Sequence, residues 1–127
     1  MEFLLNILKD EKPSESIKNN IEEIIKLIPE LSYSINFNQN NNWHIYDVFE
    51  HILHVIDNVP NNEILRLAAL FHDIGKPFVY KIDNNGIGHF YNHWNESVNI
   101  FKKYSDKFRL SDKDIELVSN LIFYHDI

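Results

Sequence analysis

Cysteine is absent from the 127 residues of this chain. The chain therefore has no disulfide, no thiolate metal site and no cysteine nucleophile. Glycine and proline are also scarce, with 3 and 4 residues, which excludes collagen-like and linker-rich chains. The lack of disulfides fits a cytoplasmic protein, and we expect that location.

Basic residues are outnumbered, with 12 lysines and arginines against 19 acidic residues and a formal net charge of -7. Proteins that bind extended nucleic acid usually carry a basic face, so we expect no such partner. No apolar run approaches the ~20 residues of a membrane span, and residues 1–5 lack the basic start of a secretory signal. We expect no membrane partner either, and the oligomeric state stays open.

The chain does contain enough apolar material for one core, since 44% of its residues are hydrophobic and 24% are charged. These fractions are typical of globular proteins, and the length suits one domain rather than two. We therefore expect a single domain over residues 1–127, in which residues 1–27 form N-terminal helices.

Apolar residues spaced three and four apart predict a largely helical chain. The predicted helices cover residues 3–9, 14–28, 46–58, 62–72, 93–104 and 112–124, with Ser14 and Ser111 as N-caps. The dipeptide Asn85-Gly86 lies between two strand-like runs, residues 78–82 and 88–91, and predicts a short hairpin. The expected fold class is all-α, a helical bundle with a small β-hairpin.

Two polar residues, His72 and Asp73, end the most apolar of these helices. Burying both costs several kcal/mol unless something pairs with them. One cation would satisfy both, because histidine offers a neutral nitrogen and aspartate offers two oxygens. The alternative is an aspartate that caps the helix and a histidine bonded to a carbonyl, and the pair alone favours that alternative.

Other histidines favour the metal site. His51 lies beside the core face of the preceding helix, His93 opens a later helix, and His125 with Asp126 closes the last one. Helical bundles build metal sites from residues that are distant in sequence in this way. His54, one turn from His51, is expected at the surface.

Three further residues are open to two interpretations. Lys76 follows the helix end, where it is either a phosphate-binding charge or a solvated lysine near a helix C-terminus. His44 and His89 lie in a loop and in the hairpin, too exposed for metal ligands but within reach of a substrate.

The sequence has no P-loop, no dinucleotide-binding glycine motif, no nucleophile elbow and no His-Glu-x-x-His motif. Water activated by a metal ion is therefore the expected nucleophile.

The motifs together resemble the HD superfamily of metal-dependent phosphohydrolases, through His51 and then His72-Asp73. More closely, the chain is similar to the HD domain of bacterial CCA-adding enzymes, the tRNA nucleotidyltransferases. The carrying stretches are residues 39–51, 65–77, 88–93 with Ser97, and 121–126, and Pro29-Glu30-Leu31 also fits. No nucleotidyltransferase head is present, so we do not expect this chain to add CCA.

The resemblance implies a first divalent ion on His51, His72 and Asp73. His93 and His125 match positions that hold a second ion in two-metal relatives, and Asp126 is a candidate for a late aspartate ligand. One ion is expected, and a second is left open because Trp94 and Tyr124 replace ligand-type residues. The metal can be manganese, iron, cobalt, nickel, zinc or magnesium.

The implied activity is hydrolysis of a small phosphate ester or nucleotide by metal-activated water. Asp73 and Lys76 are expected to take part in catalysis, and Lys76 and His89 to contact the substrate. Two other functions stay open. One is a non-catalytic metal- or nucleotide-binding module that keeps the pocket, and the other is a di-iron oxygenase, which needs two irons.

Overall fold

The computed structural model describes residues 1–39 and 46–125, and most of them are helical. The helices are α1 (Glu2–Leu8), α2 (Pro13–Asn19), α3 (Ile21–Leu27), α4 (Val48–Asn58), α5 (Glu63–Phe71), α6 (His93–Tyr104) and α7 (Asp112–Phe123). Short 3-10 turns cover Pro29–Ser34, Lys76–Phe78 and Ser105–Phe108. Strands β1 (Lys81–Ile82) and β2 (Gly88–His89) form an antiparallel hairpin, with Lys81 opposite His89. The predicted all-α class with a small hairpin is confirmed.

Helix α5 occupies the centre of the core, where it packs against α1, α4, α6 and α7. The ring of Phe71 at its end contacts the rings of Phe101 and Phe108, with centroids 5.3 and 6.0 Å away. Each large apolar side chain buried in this way stabilises the fold by roughly 1.5–3 kcal/mol. The core therefore fixes the C-terminal end of α5, where His72 and Asp73 follow.

The N-terminal helices pack onto the same core, α1 against α5 and α2 against α4. Ser14 donates to the Asp57 carboxylate from its backbone nitrogen at 3.0 Å and from its hydroxyl at 2.5 Å. The buried Arg66 of α5 donates to the carbonyl oxygens of Leu8 and Asp10, both at 2.6 Å. These bonds tie α1 and α2 to the helices that carry the candidate site.

The single helix predicted over residues 14–28 is wrong, because the chain breaks at Asn20 into α2 and α3. Asn20 has φ -120° and ψ 23°, and its side chain donates to the carbonyl oxygen of Ser16 at 2.8 Å. A side-chain amide that bonds the local backbone competes with the helical hydrogen bonds. Ser14 is not the N-cap either, since α2 begins at Pro13 and the Ser14 hydroxyl binds Asp57.

The remaining boundaries differ from prediction by a few residues. Helix α4 begins at Val48 rather than at residue 46, because Asp47 is its N-cap and accepts from the Glu50 nitrogen at 2.7 Å. Ser111 caps α7 as predicted and accepts from Asp114 at 3.1 Å. The hairpin is shorter than predicted, since Phe78 belongs to the 3-10 turn.

None of the described helices combines the length and apolar character needed to cross a membrane.

Candidate metal centre

The centre is built around the carboxylate of Asp73, whose side chain is 2% exposed. Its Oδ2 atom lies 3.1 Å from the Nε2 atoms of both His51 and His72. Its Oδ1 atom lies 3.2 Å from Nε2 of His93 and 3.3 Å from Nε2 of His125. One buried carboxylate is thus surrounded by four imidazoles.

Each histidine comes from a different helical segment. His51 lies within α4, His72 directly follows α5, His93 is the first residue of α6, and His125 lies two residues beyond α7. The convergence follows from the packing of α4, α6 and α7 on α5. The structure therefore brings together all four histidines that were predicted as ligands.

Gly75 allows the turn after α5 to approach the start of α6. Its backbone nitrogen donates to the buried Ser97 hydroxyl at 2.8 Å. A Cβ at Gly75 would lie 2.6 Å from the Ser97 nitrogen and 2.8 Å from the His93 carbonyl oxygen, closer than atoms can pack. This approach positions Asp73 against His93. Asn92, the residue before α6, has φ 60°, a conformation that asparagine tolerates better than most residues.

The backbone fixes which nitrogen of three histidines faces the carboxylate. The Nδ1 atom of His72 lies 2.5 Å from the Ala69 carbonyl oxygen, and that of His93 lies 3.0 Å from the Phe90 carbonyl oxygen. Nδ1 of His125 binds the Ile122 carbonyl oxygen in the same way. A carbonyl only accepts, so Nδ1 carries the proton and Nε2 of the neutral ring carries a lone pair. This tautomer is the one that metal-binding histidines adopt.

The arrangement fits a divalent cation. Lone pairs on neutral imidazoles repel a carboxylate oxygen at 3.1–3.3 Å, unless a cation or protons lie between them. In the described part of the chain, the buried Oδ1 atom of Asp73 forms no hydrogen bond. The candidate ligands form two donor sets that share Asp73. One set is His51, His72 and Asp73, and the other is Asp73, His93 and His125.

Electrostatics keep the central carboxylate ionised. Burial raises the pKa of Asp73, but when protons rather than a cation lie between the rings and the carboxylate, the positive charge on His72 and the contacts with His125 and His51 outweigh burial. Together they hold the pKa of Asp73 well below its ordinary value. An ionised carboxylate is the form that binds a metal, because ligands must lose their protons first.

A family model for the HD domain matches residues 42–127, which include all five residues of the two donor sets. The chain belongs to the HD domain family. This family lies in a superfamily of metal-dependent phosphohydrolases, and HD domains bind divalent metals. A search of curated proteins finds no match, so the comparisons do not support the closer resemblance to CCA-adding enzymes.

In this HD domain, Lys76 is buried next to the centre, with 6% of the residue exposed. Its ammonium group lies 3.3 Å from Asp73 Oδ2, donates to Gln39 Oε1 at 2.9 Å, and lies 5.1 Å from the centre of the Phe90 ring. The alternative of a solvated helix-end lysine is therefore wrong. Burial against a carboxylate and an amide oxygen explains how the charge is tolerated.

The sequence did not identify Gln39 as part of the centre. Gln39 lies in a polar, asparagine-rich stretch of the sequence, yet it is 1% exposed and donates to the Tyr46 carbonyl oxygen at 3.0 Å. Only its place within one of the stretches that resemble HD domains pointed to it. A glutamine in a polar segment carries no periodic signal, so its burial against Lys76 depends on tertiary packing.

Of the other polar residues considered in the sequence, the structure describes His54 and His89, and neither belongs to the two donor sets. His89 is in the hairpin, where Nε2 lies 2.8 Å from Asp83 Oδ2 and the ring stacks on Tyr91. His54 is exposed beside the Tyr46 ring, as the helix spacing predicted. His44 and Asp126 lie outside the described residues, so the structure says nothing of the Asp126 ligand.

Proposed function

We propose that this HD domain is a metal-dependent phosphohydrolase that cleaves a small phosphate ester or nucleotide. The observation that carries the proposal is the buried Asp73 carboxylate, both of whose oxygens face Nε2 atoms of histidines. Imidazole and carboxylate ligands with a fixed tautomer suit a divalent ion, and family membership supports phosphate chemistry.

His51, His72 and Asp73 would hold the first ion, and Asp73 with His93 and His125 would hold any second ion. A bound divalent ion supplies Lewis acidity, which activates water and offsets charge on phosphoryl oxygens. The donor types do not select among manganese, iron, cobalt, nickel, zinc and magnesium. Asp126 remains a predicted further ligand.

The exposure of the ligands indicates where the substrate approaches. The side chains of His51 and His125 are 28% and 18% exposed, whereas those of His72 and His93 are 7% and 8% exposed. A phosphate would therefore reach the centre between α4 and the end of α7. If the first donor set alone holds an ion, we expect His93 and His125 to bind the phosphate or to transfer protons.

The buried Lys76 also supports the proposal. Its charge favours the ionised form of Asp73 and its bond to Gln39 fixes its position. The resemblance also implied a direct contact of Lys76 with the substrate phosphate, for which the ammonium group has a third N–H donor beside those that face Gln39 and Asp73. That contact and a substrate contact of His89 stay predictions.

The experiment is a comparison of matched proteins. The chain is stripped with a chelator, reloaded with each candidate metal and assayed on p-nitrophenyl phosphate, bis-p-nitrophenyl phosphate and AMP. We expect metal-dependent hydrolysis by the wild type and by Asp106→Asn, which alters an exposed aspartate in the turn after α6. Asp73→Asn should lose both metal and activity, because it removes the carboxylate that the two donor sets share.

Two outcomes favour the other functions. Tight metal binding without turnover on any ester indicates a binding module that keeps the pocket. Two irons per chain with a visible absorption band and no hydrolysis indicate a di-iron oxygenase.

A further inference from the structure

An apolar cleft of about 540 Å³ opens beside the metal centre, between α4, α5 and α7. It is lined by Val55 from α4, Ala68 from α5, and Leu117 and Leu121 from α7. The volume lies within the range of small-molecule sites, roughly 300–1,000 Å³. The apolar stripes of these helices thus extend beyond the core into a surface that no other described element covers.

The cleft is continuous with the metal centre. His51, His72 and His125 line it as well, so three of the four imidazoles around Asp73 form part of its wall. Any molecule whose phosphate reaches the centre from this side places its remaining atoms in the cleft. The two sites are therefore placed so that one molecule could fill both.

The chemistry of the lining restricts the part of the molecule that occupies the cleft. Among the described lining residues, none is an aspartate, glutamate, lysine or arginine. The polar groups other than the histidines are the exposed Asn120 and Tyr124, and Tyr124 is 55% exposed. A ribose or a second phosphate would lose hydrogen bonds to water here without regaining them.

We propose, building on the proposed function, that the substrate is a phosphate ester of an apolar alkyl or aryl alcohol. The phosphate binds at the Asp73 centre and the alkyl or aryl group occupies the apolar cleft. Burial of the apolar group then supplies affinity and sets the reacting phosphate in position.

The test uses two probe series at 25 °C. Methyl, butyl and hexyl phosphate are titrated into the manganese-loaded chain by calorimetry, and 1-butanol and 1-hexanol into the metal-free chain by ligand-observed NMR. We expect affinity to rise about fourfold for each methylene group that enters the cleft, in both series. AMP should bind more weakly than hexyl phosphate.

Two variants locate the effect. Ala68→Leu places a larger side chain in the cleft and should lower hexyl phosphate affinity at least tenfold while leaving methyl phosphate affinity unchanged. Leu117→Asn, at a rim position 45% exposed, should reduce the gain per methylene without unfolding the chain. Ile82→Asn, at a position 56% exposed in β1 and outside the cleft, is the control and should behave as the wild type.

Three results would overturn the cleft assignment. They are equal affinity for methyl and hexyl phosphate, tighter binding of AMP than of hexyl phosphate, and wild-type dimers that Leu117→Asn dissociates, since a second copy would then fill the cleft. Failure of the proposed function looks different. In that case hexyl phosphate binds the manganese-loaded chain no tighter than 1-hexanol binds the metal-free chain, while the gain per methylene and its loss in Ala68→Leu persist.

Discussion

The Nε2 atom of His51 in α4 lies 3.1 Å from Oδ2 of Asp73, which follows α5. This contact links α4 to the end of α5 through one carboxylate oxygen, and it identifies the face of α4 that carries the metal ligand. His54, one turn along the same helix, is exposed beside the Tyr46 ring. The chain therefore provides its own matched pair of histidines for testing the metal centre.

His51→Ala should weaken Mn²⁺ binding strongly, whereas His54→Ala should leave it unchanged. Loss of groups that only orient a ligand costs ~10–100-fold in affinity, so removal of the ligand itself should cost more. Calorimetric titration of both variants measures the difference. Equal loss in the two variants would mean that the wrong face of α4 has been assigned to the metal.

His93→Ala and His125→Ala should each leave one tightly held ion on the first donor set, which is His51, His72 and Asp73. We expect one such ion in the wild type and a weak second site, because Trp94 and Tyr124 replace ligand-type residues. The variants should therefore lose rate, and retain the tightly bound metal in elemental analysis after desalting. Two ions held with equal affinity by the wild type would contradict this expectation.

The sequence predicted the residues of the centre where local patterns carry the signal. His72 and Asp73 stand out because they end an apolar helix before Gly75 and Pro77, and His51 stands out by its position on the helix. Each of these features is readable within one helical segment. Their meeting at one carboxylate required the resemblance to a known family, since spacing alone does not give the packing of four segments.

The features that the sequence missed depend on contacts between distant segments. Lys76 is buried because Gln39 and Asp73 bind its ammonium group, and Gln39 is remote in the chain. Ser14 was expected to cap a helix but binds Asp57 of α4 instead. The helix propensity of a residue does not predict such contacts, because tertiary packing overrides propensity.

Lys76→Met should lower the free energy of unfolding by about 1–3 kcal/mol, because it leaves the buried Gln39 Oε1 without its donor. Metal should be retained, since Lys76 is not a ligand, and kcat/KM on a phosphate ester should fall. Thermal unfolding, elemental analysis and kinetics measure the three effects. If the variant matches Lys113→Met, which alters an exposed lysine, in all three, Lys76 has no role in positioning Asp73.

Glu30, a carboxylate away from the metal centre, should make the stability of the chain depend on pH. Glu30 accepts from Lys103 at 2.8 Å and from the Tyr104 hydroxyl at 2.5 Å. Burial raises the pKa of Glu30, but these two hydrogen bonds outweigh burial and hold the pKa below its ordinary value. The stabilising contribution is therefore present above the unfolded-state pKa of about 4.3 and is lost as pH falls through the folded-state pKa.

Glu30→Gln should accordingly destabilise the chain at pH 7 by about 1 kcal/mol or less, because Lys103 is 64% exposed. The difference from the wild type should shrink as pH falls below about 4. Chemical denaturation at a series of pH values measures it. A difference that stays constant down to the acid-unfolding range would contradict the assignment.

The most direct measurement is anomalous diffraction from crystals of this chain grown with Mn²⁺. The account predicts an anomalous peak within coordination distance of Asp73 and of the Nε2 atoms of His51 and His72. It also predicts no such peak in crystals of Asp73→Asn grown in the same way. A fully occupied Mn²⁺ site elsewhere on the wild-type chain, with no peak at Asp73, would contradict the central claim that these residues form a metal centre.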